Sequence, residues 1–182
     1  MRHPAPAVRS VYETVLYAID VLAAAEFYRT VLGMRLLSNP DHNSAALRLP
    51  DGDAVLLLFN PAYAATQGRG VPTHGATGAG HVALRVEPGS LPTWSHHVRS
   101  LGVPVELERT WQRGGASLYL RDPSNNSVEL VDGPIWPNEI KTQRNAPIRK
   151  RRKPHAFEMS AEITEHTAKA KPRKSAAHSS FP

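Results

Sequence analysis

Apolar residues recur with two different periods along the first three-quarters of the chain, and the same order of periods occurs twice. In the first copy, a short β-branched run at 13–19 leads into apolar residues at the i, i+3, i+4, i+7 spacing of one helix face. Gly33 follows where a left-handed helix C-cap belongs. Strand-like runs come next at 34–37, 44–49 and 54–59. The first copy therefore predicts a strand, a helix and three more strands.

The second copy repeats this order from His81 onward. Apolar residues at helical spacing follow Ser90, which is placed to cap a helix, and Gly102 closes that helix. The later strand-like runs are Val103–Arg109, Ala116–Arg121 and Ser127–Val131. In the turn before the last run, Asn125 is expected to take the positive φ that Gly52 takes in the first copy. The chain thus contains an internal repeat of one supersecondary unit.

Two tandem βαβββ modules predict an α+β fold in which mixed sheets form a cup around a cavity. We place the folded domain at residues 12–136, between a flexible N-terminus at 1–11 and a weakly structured tail at 137–182. The expected parts of the domain are module one at 12–60, a connection at 61–79 and module two at 80–132. The connection is long for a compact fold, which is typical of a loop bordering a functional site.

Charge divides the chain at the same boundary. Residues 137–182 hold eleven of the 22 basic residues and four of the 16 acidic residues, so the tail carries +7 and the rest −1. The folded domain therefore has no electrostatic reason to bind nucleic acid or a membrane, whereas the basic run at 149–153 can make nonspecific polyanion contacts. The absence of cysteine excludes disulfides and thiolate zinc sites. The lack of an apolar signal core or a membrane-length apolar stretch favours a cytoplasmic protein.

Superposing the two copies brings three residues with metal-binding side chains to related positions. Glu13 and His81 open the first strand of their copies, and Glu129 lies on the last strand of the second copy. Counting from Gly52 makes Leu56 the first-copy counterpart of Glu129. Two carboxylates and one imidazole suit a divalent cation with open coordination positions. Singly, each residue has a plainer interpretation as an exposed acid, a hydrogen-bonded core histidine or a polar residue on an outer sheet face.

Two segments of the second copy resemble the signature of the vicinal-oxygen-chelate superfamily. They are GHVALRV at residues 80–86 and LYLRDPSNNSVEL at residues 118–130. The segment from Asp20 to Gly33 is similar to the first-half helix of that superfamily, which includes glyoxalase I, extradiol dioxygenases and bleomycin-resistance proteins. The resemblance covers residues 12–132 and implies paired βαβββ modules around a metal cavity.

The resemblance also implies a ligand set and shows where this chain departs from it. By position, Glu13, His81 and Glu129 would hold one divalent ion such as Zn, Ni, Mn or Fe, with Glu13 standing where many members have His. Leu56 stands where glyoxalase-like and epimerase-like members generally have a fourth polar group. The extradiol enzymes use two His ligands, so the Glu at position 13 departs from that pattern too.

What the resemblance implies for function is a metal-dependent enzyme acting on a small substrate with vicinal oxygens. The expected chemistry is glyoxalase-like isomerisation or lyase-type proton transfer through a metal-stabilised enolate, with Glu129 or Glu13 as the catalytic base. Two alternatives stay open: an extradiol-type dioxygenase, and a metal-free protein of the bleomycin-resistance type that sequesters a small molecule. A homodimer is expected by analogy with members of this size.

Four further side chains in or beside the final strands are candidates for substrate binding. They are Trp111, Arg113, Tyr119 and Arg121. Tyr119 and Arg121 share one strand face, and either can hold an anionic group of a substrate. The alternative is that Tyr119 packs in the protein and that Arg121 pairs with Asp122 or with neighbours of Glu129.

Overall fold

The computed structural model describes residues 5–137, which form two four-stranded sheets and three helices. The first module contains β1 (Glu13–Tyr17), α1 (Val21–Thr30), β2 (Arg35–Leu36), β3 (Ser44–Arg48) and β4 (Val55–Phe59). After α2 (Pro61–Ala64), the second contains β5 (His81–Arg85), α3 (Leu91–Ser100), β6 (Leu107–Thr110), β7 (Ala116–Arg121) and β8 (Ser127–Asp132). Within residues 5–137, no helix is long and apolar enough to cross a membrane. The predicted tail lies outside the described residues from position 138 onward.

Both sheets have the same topology. The strand orders are β1-β4-β3-β2 and β5-β8-β7-β6, with one parallel pair in each sheet and antiparallel pairs elsewhere. This arrangement confirms the α+β fold of two βαβββ modules. Three details differ from expectation: β2 spans only two residues, β6 begins at Leu107 rather than Val103, and the connection contains the short helix α2.

The two long helices begin differently although both end at a glycine. The Asp20 carboxylate accepts a hydrogen bond from the Ala23 N–H at 3.0 Å and so caps α1. Ser90 is the N-cap residue of α3, as predicted, but its side chain does not cap the helix. Its hydroxyl donates to the Glu87 carbonyl at 2.6 Å instead. Gly33 and Gly102 have φ values of 69° and 75°, which confirms the predicted left-handed helix ends.

Strand pairing corrects the predicted counterpart of Glu129. Glu13 pairs with Val55 in the first sheet, as His81 pairs with Ser127 in the second, so the position of Glu129 is occupied by Leu57. The prediction of Leu56 was wrong because the β3–β4 loop has six residues, 49–54, and the β7–β8 loop has five, 122–126. Side chains alternate along a strand, so a count that is off by one residue selects Leu56, which points to the opposite sheet face from Leu57.

One hydrophobic core lies under both modules. It includes one face of α1, Val98 of α3, and inward side chains from both sheets, such as Leu56 and Leu58 in the first and Leu118 and Leu130 in the second. We call the opposite side of each sheet its outer face. By the strand registers, Glu129 projects from the outer face, together with His81, Ser117, Tyr119 and Arg121.

A buried polar network joins the two modules. The Asn126 amide accepts from the Gly80 N–H at 2.7 Å and donates to the Tyr17 carbonyl at 3.0 Å. It also donates to the Asp122 carboxylate at 2.8 Å, to which the Tyr28 hydroxyl donates at 3.1 Å. These contacts set the start of β5 beside the end of β1. Burial, and after it the Asp122 charge, raises the pKa of Tyr28 far above the ordinary phenol value, so the hydroxyl stays a donor.

Tyr28→Phe is predicted to lower the free energy of unfolding by about 1–2 kcal/mol, because it removes a buried donor and keeps the ring. Tyr12→Phe is the matched control, since Tyr12 is 69% exposed. It should change stability by less than about 0.5 kcal/mol. Urea denaturation at one fixed protein concentration measures both, and equal effects would contradict a stabilising role of the network.

Candidate functional site

The outer face of the second sheet brings His81 and Glu129 together. His81 opens β5, and Glu129 lies on the adjacent β8 in register with Ala83, two residues further along β5. The imidazole Nε2 is 3.3 Å from the carboxylate Oε2. The Glu129 side chain is 6% exposed and that of His81 is 51% exposed. The pair therefore has a buried acidic end and a solvent-facing imidazole end.

A chain of hydrogen bonds fixes the other oxygen of Glu129. The Ser117 hydroxyl, on β7, donates to Glu129 Oε1 at 2.5 Å, and the Trp111 indole N–H donates to the same hydroxyl at 2.7 Å. Ser117 is fully buried and Trp111 is half-buried. One carboxylate oxygen is thus held by the protein, and the other faces His81.

The local sequence explains why Trp111 lies over β7. The backbone N–H of Trp111 donates to the Gly115 carbonyl at 2.8 Å. The turn that this bond closes needs the positive φ of 87° at Gly114. A side chain at position 115 would lie 2.7 Å from the Pro134 carbonyl oxygen, so only glycine fits there. The two glycines together fold Trp111 back toward Ser117.

Tyr119 is the direct cross-strand partner of Glu129 on the same face. Burial raises the pKa of the Tyr119 phenol, and Glu129 raises it further as a hydrogen-bond partner and as a negative charge. The Ser117 hydroxyl, and after it the nearby Arg109 charge, act in the opposite direction and lower the pKa of Tyr119. The phenol therefore remains protonated at neutral pH and can donate a hydrogen bond beside Glu129.

The donor atoms of His81 and Glu129 fit a shared divalent ion. Nitrogen and oxygen ligands about 2.1 Å from one ion, at tetrahedral or octahedral angles, lie roughly 3.0–3.4 Å from each other. The 3.3 Å between Nε2 and Oε2 falls within that range. The chemistry of the pair, one imidazole and one carboxylate, also suits Zn, Mn, Fe or Ni.

In the described part of one chain, the Glu13 side chain does not lie beside the His81–Glu129 pair. No group of three His, Asp, Glu or Cys side chains within residues 5–137 is arranged to hold a metal ion. Asn126 binds the Tyr17 carbonyl next to Gly80, so the start of β5 lies at the end of β1. Glu13 is four residues back along that strand, about 13 Å away. Its exposed side chain starts the outer face of the first sheet.

The structure places the four predicted substrate-binding residues differently. Trp111 and Tyr119 lie at the His81–Glu129 pair, as described above. Arg121 lies on the same face, but its guanidinium donates to Glu106 at 2.6 and 2.9 Å, and this ion pair raises its pKa. Arg113 is exposed in the turn before β7. Arg121 thus pairs with an acid, as the alternative expected, but the acid is Glu106 and not Asp122.

Sequence reasoning missed Ser117 and Arg109, which both contact the Trp111 side chain. The signal for Ser117 was present, because it alternates with Tyr119 along β7 and so shares its face. Nothing in the local sequence indicates that Arg109 lies over the Trp111 ring, since that contact depends on the path of the β6–β7 turn.

Residues 11–130 match the family model of the Glyoxalase/Bleomycin resistance protein/Dioxygenase superfamily. The chain belongs to this superfamily, which confirms the resemblance seen in the sequence. No curated protein sequence matches it.

Several solved structures are similar to this chain. Lactoylglutathione lyase from Agrobacterium tumefaciens is 34% identical with a TM-score of 0.66, over 70% of this chain and 96% of that one. A glyoxalase/dioxygenase from Nostoc punctiforme is 21% identical with a TM-score of 0.54, over 74% and 99%. A glyoxalase/bleomycin resistance protein/dioxygenase from Nocardioides is 20% identical with a TM-score of 0.56, over 75% and 92%. The last two likenesses show the fold alone.

Ser117→Ala is predicted to lower the free energy of unfolding by about 1–3 kcal/mol. The substitution removes the hydroxyl that the Trp111 indole N–H and one buried Glu129 oxygen bind. Ser127→Ala is the matched control on the adjacent strand. No side-chain hydrogen bond of Ser127 occurs among residues 5–137, and its loss should cost less than about 0.5 kcal/mol. Urea titrations of both variants measure the difference, and a neutral Ser117→Ala would show that the chain of hydrogen bonds does not stabilise the fold.

Proposed function

We propose that this protein is a metal-dependent enzyme that acts on a small substrate with two neighbouring oxygens, by glyoxalase-like isomerase or lyase chemistry. The observation that carries the proposal is the His81–Glu129 pair, whose donor atoms lie 3.3 Å apart on the outer face of the second sheet. Membership of the superfamily and 34% identity to a lactoylglutathione lyase support the choice of chemistry.

His81, Glu129 and Glu13 are the residues that would hold the ion. A bound divalent ion would supply a Lewis acid for two adjacent substrate oxygens. Ser117 keeps Glu129 in one orientation through its 2.5 Å hydrogen bond. The protonated Tyr119 phenol can donate a hydrogen bond to a substrate oxygen beside Glu129.

The proton transfer needs a carboxylate within reach of the substrate. Both oxygens of Glu129 are engaged, one by Ser117 and the other by His81. Glu13 is exposed and accepts no side-chain hydrogen bond among residues 5–137, so it is the freer of the two predicted bases. Glu13 thus serves in our proposal both as a ligand and as the group that moves the proton.

A homodimer would complete such a site. Within one chain, Glu13 lies about 13 Å along β1 from the strand end beside which β5 starts. The outer faces of both sheets point away from the shared core and are therefore available to a second copy. We propose that Glu13 of the partner subunit joins His81 and Glu129, which gives two equivalent sites related by a twofold axis.

The second candidate is a metal-free protein that sequesters a small molecule. One observation favours it: His81 and Glu129 pair directly with each other, and Trp111 and Tyr119 provide aromatic surface beside them. This direct contact between the two side chains would need no ion. Metal binding separates the two candidates.

Purified wild-type protein supplied with Zn, Mn, Fe or Ni is predicted to hold about one ion per chain. His81→Ala and Glu129→Gln should each lose it, because each removes a charged or basic donor from the pair. His96→Ala, on the exposed side of α3, is the matched histidine control and should keep the ion. Elemental mass spectrometry after dialysis measures all four proteins.

An empty wild type after every metal has been supplied would reject the enzyme and support the sequestering protein. Full metal content in His81→Ala and Glu129→Gln would place the ion elsewhere on the chain.

Mixing two inactive variants tests whether Glu13 acts across subunits. Glu13→Ala and His81→Ala homodimers should both lack the ion. A heterodimer of the two, purified through different affinity tags, has one site with every ligand intact and should regain about one ion per dimer. If all three ligands came from one chain, no site in the heterodimer would be complete.

Metal content and turnover of a 2-oxoaldehyde–thiol adduct are the two readouts of this mixture. A heterodimer as empty as its parents would contradict the shared site. The wild-type dimer carrying both tags is the control for the purification.

A further inference from the structure

Arg109 lies beside the proposed site and stacks on Trp111. Its guanidinium carbon is 4.5 Å from the centroid of the Trp111 ring, a stacked cation–π contact. Stacking holds the planar group by one face and leaves its N–H edge available for hydrogen bonds.

Arg109, like Arg85 on β5, forms no ion pair among residues 5–137, whereas Arg99 and Arg121 of the same module do. Arg99 pairs with Glu108, and Arg121 pairs with Glu106. Glu108 neighbours Arg109 in sequence, but strand alternation puts the two on opposite faces. No carboxylate among residues 5–137 forms an ion pair with Arg109. In the described part of the chain, the Arg109 charge is thus held on Trp111 without an ion-pair partner.

Arg109 is also connected to the Glu129 carboxylate by three successive contacts, through Trp111 and Ser117. The Trp111 ring under its guanidinium donates to Ser117, and Ser117 donates to Glu129. Arg109 pairs across the strands with Ser117, one step along the same face from Tyr119 and Glu129. Its Cα is two strands and two residues from that of Glu129, about 12 Å by strand geometry. One small molecule can therefore contact both groups with different ends.

We propose that Arg109, held on Trp111, binds a carboxylate of the substrate and makes the site selective for substrates that carry one away from their reacting oxygens. This inference rests on the proposed function and adds the substrate class. A guanidinium presents two parallel N–H donors to a carboxylate, a geometry that a lysine cannot reproduce. Trp111 acts here as a positioning residue for the Arg109 side chain.

Steady-state kinetics with a matched pair of substrates tests the selectivity. Methylglyoxal adducts of glutathione, which has two carboxylates, and of glutathione diethyl ester differ in charge at the same reacting group. Arg109→Gln should raise KM for the acidic adduct roughly tenfold and leave kcat and the ester little changed. Arg109→Lys should recover only part of the loss. Arg99→Gln removes the same charge from the helix side of the sheet and should behave like the wild type.

Calorimetric binding of S-methylglutathione and its diethyl ester to the full-length protein gives a readout that does not depend on turnover. The wild type should bind the diacid roughly tenfold more tightly than the ester, and Arg109→Gln should abolish that preference. If this preference is observed but no turnover is, the proposed enzymatic function is rejected and the role of Arg109 in carboxylate binding still holds. A wild type that does not distinguish diacid from ester, or an equal loss in Arg99→Gln, would overturn it.

Discussion

The side-chain amide of Asn126 is the contact on which the geometry of the whole domain depends. It binds the backbone of β1 and of the residue before β5 at once, and a buried Asp122 carboxylate holds it in place. A buried amide satisfied on both sides fixes the distance and the direction of the two strands. The start of β5, the first strand of module two, therefore lies beside the end of β1, the first strand of module one. The shared hydrophobic core then forms on the helix sides of both sheets.

This placement decides what a single chain can and cannot assemble. His81 and Glu129 come from neighbouring strands of one sheet, so local strand pairing is enough to bring them together. Glu13 belongs to the other module and lies at the far end of its strand. Association with a second copy is the simplest way to bring Glu13 to the His81–Glu129 pair. In a twofold dimer the same surface of both subunits forms the interface, so each contact occurs twice. The chemistry that we propose thus depends on association as much as on folding.

The sequence predicted best what depends on local periodicity. The repeat, the helix ends at Gly33 and Gly102 and the face shared by Tyr119 and Arg121 all follow from short-range spacing. It failed where a count had to pass through a loop, because one extra residue in the β3–β4 loop exchanged Leu56 for Leu57. It also could not predict the contacts of Arg109 and Ser117 with Trp111, or the distance of Glu13, since these depend on how a turn folds back and how two modules dock.

The longer β3–β4 loop leaves Leu57, and not the core residue Leu56, at the pseudo-symmetric position of Glu129. Leu57 is half-buried on the outer face and takes no part in the shared core. An acid can therefore replace it without disturbing the packing that holds the modules together. The number of residues that coordinate the ion can therefore change in evolution without a change in the stability of the fold. Descendants of one duplicated module could gain or lose a coordination position by a single substitution while the fold stayed the same.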